Sequence, residues 1–529
     1  MSSCYFKNVT YTYPESSVAT LDQISFNIEK GSFVLISGVS GSGKSTLGKI
    51  IKGIIPKLYG GRIKGKFESE EMGYVLQDPE KQMLMTTVER ELAFGMENIG
   101  VPHRIMRKRV AEVLDYIGLS RQRSQETRTL SGGQKQKLAI GCAVAMGFNG
   151  IILDEPTGQL DPVSSTEVID LLKRLNEEQG MTIILIEQKL DALYEAVDRV
   201  LFLEQGKLTF DGTPKEFVNA HSAGINDVLS TFTLSFKKAV DAQIFSDCPL
   251  SMKAARKMLS TKDMASCNAL PLEPLAVEER PLQEKVISLR DVVFSYDQKS
   301  RHLSLDQFTL YKNDILGIIG ENGSGKSTFM KVLSGVLTPQ KGHIEQACQI
   351  GFLSQNPNDY FFEPTLRLEL EQVLSLQSKE WSEHLDEQLD VLGLQSLLNK
   401  NPRDLSGGER QRAAMAIVLA GAPEVLLLDE PTRGLNRGLK RKLITLLQKL
   451  HAQGLSIVMI SHDMELISDL TTKVAIISSG ELQVLDHTHM LLSDGLFYVS
   501  DFGKLFSPYG MRVVNSKESE QILLNLKET

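Results

Sequence analysis

The stretch GVSGSGKST at residues 38–46 decides how this chain is read, and it returns as GENGSGKST at 320–328. Each copy carries the pattern G-x-x-x-x-G-K-[ST], at Gly38–Ser45 and Gly320–Ser327, after an apolar run and before a helical pattern. That is the context in which such a loop cradles phosphates. Working outward, LSGGQ at 130–134 returns as LSGGE at 405–409, and IILDEPT at 151–157 as LLLDEPT at 426–432. The order is the same in both halves, and Ser131 to Asp154 and Ser406 to Asp429 are each 23 residues apart. The chain therefore reads as two copies of one unit.

The motifs place one domain at 1–225 and a second at 284–500. Residues 226–283 mix short apolar runs with Pro249, Pro271, Pro274 and Pro281, which reads as accessory helices followed by an extended linker. The tail at 501–529 ends in a weakly amphipathic stretch that is either one terminal helix or frayed. A chain of 529 residues exceeds what one hydrophobic core serves, and 42% hydrophobic with 23% charged residues is an ordinary globular composition. A net charge of −8 argues against a protein that grips nucleic acid by its own charge. The five cysteines, Cys4, Cys142, Cys248, Cys267 and Cys348, are scattered and show no disulfide or metal-binding spacing. No basic stretch followed by an apolar run opens the sequence, and no apolar run reaches the ~18 residues that crossing a bilayer takes. The expectation is a cytosolic chain whose role at a membrane, if it has one, needs a partner.

Within each repeat, β-branched runs such as FVLIS (33–37), GIILDE (150–155) and TIILIE (182–187) alternate with helical stretches such as 163–178. This predicts an α/β fold with a mostly parallel sheet. Residues 87–118 form a helical block inserted between the phosphate loop and the LSGGQ segment, with Thr86 and Glu89 at capping-box spacing. In each phosphate loop the glycines let backbone N–H groups approach phosphate oxygens, Lys44 or Lys326 reaches the β/γ-phosphates, and Ser45 or Ser327 holds Mg²⁺. Asp154–Glu155 and Asp429–Glu430 end apolar strands, so that one carboxylate holds the metal and the next polarises water. A buried strand that merely ends in solvated acids is the alternative, and the adjacent phosphate loops weigh against it.

With these motifs in place, both repeats resemble ABC nucleotide-binding domains over nearly the whole chain outside the linker and tail. The resemblance implies two P-loop NTPase domains of ABC type, each with an inserted helical subdomain, and ATP and Mg²⁺ as ligands. It implies composite sites in which ATP meets one domain's loop, with Gly38, Ser40, Gly41, Ser42, Gly43, Lys44, Ser45 and Thr46, or Gly320, Asn322, Gly323, Ser324, Gly325, Lys326, Ser327 and Thr328. The opposite face would be the other domain's signature, Ser131, Gly132, Gly133 and Gln134, or Ser406, Gly407, Gly408 and Glu409. By the same resemblance Tyr13 and Tyr296 stack on adenine, and Gln77 and Gln355 sense metal and water beside Ser45, Asp154, Ser327 and Asp429. Asp161 matches the D-loop acid, and His462, 32 residues after Glu430, matches the switch histidine. Two positions depart from the pattern: Gln188 stands where the first domain should carry that histidine, and Asn436 where the second should carry the D-loop aspartate.

The segments QDPEKQMLMTTV (77–88) and QNPNDYFFEPTL (355–366) resemble those of energy-coupling factor and cobalt-type importer ATPases. This implies uptake of vitamins or metal ions, with an integral membrane coupling or permease subunit and a substrate-binding membrane component as partners. One such chain per complex would suffice, at the cytoplasmic face of the membrane, with Met83, Leu84 and Met85 exposed toward the partner. Tandem sugar-importer ATPases and ribosome-associated ABC proteins are the alternatives. The seven Lys/Arg against eight Asp/Glu in 226–284 disfavour a linker built to meet RNA, and no long heptad insertion suggests a DNA-repair ATPase.

Overall fold

The computed structural model describes residues 2–526 other than 15, 40, 159, 189–192, 263, 265–283, 297–301, 322, 347, 378–379, 433–434, 436 and 496–497. The expected linker after 264, and the candidate residues Ser40, Asn322 and Asn436, lie outside the described residues. The chain divides into two compact units, Met1–Met258 and Leu259–Thr529.

In the first unit a six-stranded sheet runs in the order Gly73–Val75, Gly150–Asp154, Thr182–Ile186, Phe33–Gly38, Arg199–Glu204, Lys207–Gly212. All neighbours are parallel except the last pair, a hairpin. The uninterrupted apolar runs follow from burial on both faces. Phe33, Leu35, Ile151 and Leu153 pack against the helices on one side, while Val34, Ile36 and Ile152 pack with Leu47, Ile50 and the strands Ser2–Thr12 and Leu21–Glu29 on the other. These two strands and Arg62–Ser69 form a separate antiparallel sheet of three.

The second unit repeats the order with Ile350–Leu353, Val425–Asp429, Ser456–Ile460, Ile315–Ile319, Lys473–Ser478 and Glu481–His487. Here the antiparallel strands Leu303–Tyr311, Lys285–Phe294 and Lys341–Gln346 continue the same sheet through a bridge from Ser304 to Glu481, giving nine strands. In the first unit the equivalent contact among the described residues is Asp22 N–H to the Gly206 carbonyl at 2.8 Å. The inserted helices are Val88–Asn98, His103–Tyr116 and Gly132–Ala145 in one unit, and Leu366–Leu376, Glu383–Val391 and Gly407–Ala420 in the other.

The capping box expected at Thr86 does not form. The helix starts one residue later on Thr87, without a side-chain cap, because Glu89 is drawn into an ion pair with Arg123 and Thr87 bridges to Glu126. Short helices at Ala223–Val228 and Thr231–Asp241 pack on the first unit's core, the helix Met252–Leu259 ends at the boundary of that unit, and Ser516–Asn525 buries Ile522 and Leu523 in the second. Among the described residues no helix is long and apolar enough to cross a membrane.

Candidate functional site

Because the central strands are parallel, their C-terminal ends collect on one edge, the place where α/β sheets gather ligand-binding groups. In the first unit Gly38, Asp154 and Ile186 reach that edge together, and the segments leaving it carry Lys44, Glu155, Gln188 and Gln77.

The phosphate loop is shaped by its glycines. A Cβ on Gly38 would lie 2.2 Å from the Leu203 carbonyl, and one on Gly320 would lie 2.2 Å from that of Ile477. Gly43 and Gly325, at φ 98° and 103°, cap the helices Lys44–Lys52 and Lys326–Leu333 in a left-handed conformation, which aims the helix N-termini into the loop. Lys44, only 5% exposed, donates from Nζ to the carbonyls of Gly38 (2.8 Å) and Val39 (3.0 Å). Lys326 does the same to Gly320 (2.7 Å) and Glu321 (2.6 Å). Burial pushes the Lys44 ammonium below its ordinary value, against the attraction of Glu155, Asp154 and Glu187. Ser42 Oγ and Ser324 Oγ are buried without a hydrogen-bond partner among the described residues, one at the same motif position in each loop. Orphaned hydroxyls, buried cations and free helix N-termini suit a polyphosphate.

Ser45 Oγ donates to Asp154 Oδ1 at 2.9 Å, and the Ser327 hydroxyl beside Asp429 opposes the rise that burial gives that carboxyl. One hydroxyl and one carboxylate are a donor set for an oxygen-seeking ion, such as Mg²⁺, that takes its remaining ligands from phosphate and water. Tyr13 and Tyr296 stand beside these loops, their hydroxyls 3.1 Å from Thr46 Oγ1 and 3.3 Å from Thr328 Oγ1.

Glu155 and Glu430 follow their strands at φ 48° and 53°, a left-handed conformation that a residue with a Cβ adopts at a cost of about 1–2 kcal/mol. The turn swings each carboxylate back over the sheet edge, but the two are held differently. Glu155 accepts from Gln77 Nε2 on Oε2 (2.7 Å) and from Gln188 Nε2 on Oε1 (2.8 Å). Among the described residues Glu430 accepts on Oε1 alone, from the His462 backbone N–H (3.1 Å), with His462 Nε2 at 3.7 Å from the same oxygen. Gln355 is exposed, and no hydrogen bond among the described residues joins it to Glu430. Burial first, and then repulsion from Asp429, pushes the Glu430 carboxyl up to about 7.

The signature residues form helix N-termini in their own units. Ser131 and Gln134 make a reciprocal capping box (3.3 and 3.0 Å), as do Ser406 and Glu409 (3.4 and 2.8 Å), and Gly132 and Gly407 begin the helices. Gly133 is required by contact, since a Cβ there would lie 2.7 Å from Ser164 Oγ, whereas Gly408 lies inside the helix Gly407–Ala420. Asp161 caps the helix Pro162–Gln179, giving both oxygens to Ser164 (2.9 and 2.8 Å).

Two residues escaped the sequence reading. Tyr74 donates its hydroxyl to Asp154 Oδ2 at 3.0 Å. Glu187, 2% exposed, accepts from Thr157 N (2.8 Å), Thr157 Oγ1 (2.5 Å) and Gln188 N (3.2 Å), and burial raises its carboxyl to about 7. Ser461 occupies its place in the second unit. A buried acid directly after a strand that ends at the site was the available signal for Glu187. None existed for Tyr74.

The run Met83-Leu84-Met85 is not exposed as a row. Leu84 is 66% exposed, while Met83 packs against the core and Met85 is half-buried. Buried Glu91 holds the turn by accepting from Leu84 N (2.9 Å) and Met85 N (2.6 Å) on one oxygen. The second unit repeats the device: Glu369 accepts from the amides of Phe362 and Glu363, and Phe362 is 80% exposed.

A family model described as ABC transporter matches residues 21–158 and 303–433. A provisionally named ABC transporter ATP-binding protein of Clostridium tetani is 34% identical over 453 residues, 82% of this chain and 99% of that one. A Bacillus subtilis protein, YkoD, provisionally named as an HMP/thiamine import ATP-binding protein, is 31% identical over 502 residues, 89% of each chain. Among solved structures, one of ribosome-bound archaeal Pelota and ABCE1 aligns with a TM-score of 0.65 at 19% identity, over 96% of this chain and 86% of that one. At that identity the likeness is one of fold alone.

Proposed function

This chain belongs to the ABC transporter ATP-binding family and is an ATPase, and on that premise we propose that it powers a separate membrane importer of the energy-coupling factor type. ATP with Mg²⁺ draws the two units together, each nucleotide lying between one phosphate loop and the other unit's signature. Reopening after hydrolysis resets a membrane subunit at the cytoplasmic face. A vitamin-class solute is the proposed cargo, by analogy with the import role in the printed name of the B. subtilis relative.

Lys44 and Lys326 would hold phosphate oxygens, and Tyr13 and Tyr296 would pack on the base. Ser45 with Asp154, and Ser327 with Asp429, would hold Mg²⁺, which neutralises developing phosphate charge; Gln77 and Gln355 would complete each metal's surroundings. Glu430, whose Oε2 bonds no described residue, accepts a proton from attacking water, while His462 steadies its other oxygen. Glu155, with an amide donor on each oxygen, is a poorer base, so the first loop mainly retains nucleotide. Asn436, which cannot carry the charge of Asp161, adds to the same imbalance.

The observation carrying the transport reading is the duplicated turn that displays Leu84 and Phe362 just after Gln77 and Gln355. Paired exposed apolar residues beside the metal-sensing glutamines fit a surface that meets a membrane subunit. The test is purification from detergent-solubilised membranes followed by reconstitution. A stoichiometric integral membrane subunit, and solute uptake that requires ATP and Mg²⁺, are expected. Recovery with ribosomes and no membrane subunit overturns the reading.

A further inference from the structure

Asp154 and Asp429 end equivalent strands with the phosphate-loop serine beside each, but among the described residues a tyrosine hydroxyl bonds Asp154 and none bonds Asp429. Tyr74 lies on Gly73–Val75, paired with Ile152 of the neighbouring strand, and its phenol reaches Asp154 Oδ2 at 3.0 Å. Phe352, paired in the same way with Leu427, fills this position in the second unit and has no hydroxyl to offer.

The torsion that sets a carboxylate's plane is broad, so a metal-binding aspartate points well only if something holds that plane. Ser45 holds Oδ1 at 2.9 Å, and its hydroxyl can bind a cation through a lone pair while still donating that hydrogen. Tyr74 holds the other oxygen, so the two donors together keep the Asp154 plane fixed. A neutral phenol orients the carboxylate without adding a competing charge, and such outer partners are commonly worth ten- to a hundredfold in metal affinity.

We propose that Tyr74 is a positioning residue that aligns Asp154 for a divalent cation and gives the first phosphate loop the tighter hold on metal–nucleotide. The inference rests on the reading of that loop as a retaining Mg²⁺–ATP site and names a cause for the retention that lies outside Gln188 and Asn436.

The experiment uses the full chain carrying Lys326→Ala, which confines nucleotide to the first loop, and reads free Mn²⁺ by electron paramagnetic resonance during titration in saturating ATP. Tyr74→Phe is expected to raise the Mn²⁺ dissociation constant about tenfold. ATP affinity in EDTA and the thermal melt stay unchanged, which separates alignment from a folding defect. A dissociation constant that stays within twofold, or that falls, overturns the inference. Absence of any ATP-dependent Mn²⁺ binding in the Lys326→Ala chain with Tyr74 intact instead overturns the reading of the loop on which it rests.

Discussion

Gln188 donates from its side-chain amide to Glu155 Oε1 at 2.8 Å, where the second unit sets the imidazole of His462 at 3.7 Å from Glu430 Oε1. A neutral amide keeps the geometry of a donor but cannot become a cation. The carboxylate it holds is also engaged by Gln77 on the other oxygen, so both of its oxygens already accept an amide N–H.

Glu430→Gln should therefore abolish most ATP hydrolysis, a fall of at least 10²-fold, whereas Glu155→Gln should leave a substantial fraction. Steady-state phosphate release from the assembled transporter decides this. Equal losses from the two substitutions would remove the asymmetry.

Glu187 makes stability depend on pH in a stated direction. Its folded-state carboxyl is raised to about 7, so its contribution is full below the ordinary value near 4.5 and is lost as pH rises through 7. Repulsion from Glu155 adds to the effect, while Thr157 and the Gln188 amide oppose it. Glu187→Gln keeps an acceptor for Thr157 and cannot ionise, so it should gain on the native chain by about 1–3 kcal/mol between pH 5 and pH 8. Thermal melts of both chains at the two pH values measure the difference, and a constant gap would contradict it.

Ser131→Arg combined with Ser406→Arg should leave nucleotide binding at Lys44 and Lys326 near its native level and reduce hydrolysis to background. Each arginine would stand at a helix N-terminus that the proposal assigns to the other unit's ATP. Filter binding and phosphate release on one preparation test it; hydrolysis at the native rate would refute shared sites.

Leu84→Glu with Phe362→Glu should weaken assembly with the membrane subunit by at least tenfold without disturbing fold or ATP binding, since both side chains stand in solvent. Quantitative co-purification is the measurement. Undiminished recovery of the membrane subunit would show that these two residues are not the contact.

What could be read from the residues alone follows the reach of each interaction. Gly38–Thr46 and its repeat are contiguous, so loop, helix start and lysine position are all written locally. The strands that end at Asp154 and Asp429 were legible because burial on both faces leaves an unbroken apolar run. The Thr86 capping box failed because its acid is taken by Arg123, 34 residues away. The contact between Tyr74 and Asp154 spans 80 residues and has no spacing to betray it. Three apolar residues at 83–85 look alike in sequence, yet the two amides held by Glu91 turn Leu84 alone outward.

The left-handed backbone at Glu155 and Glu430 sets durability against turnover. Glycine would relax both turns, and asparagine tolerates them better than most residues, yet neither carries a carboxylate to receive a proton. Breeding this chain for heat resistance alone would reward Glu430→Gly, so a thermostable lineage selected without an activity screen would drift toward a well-folded protein that binds its fuel and cannot burn it.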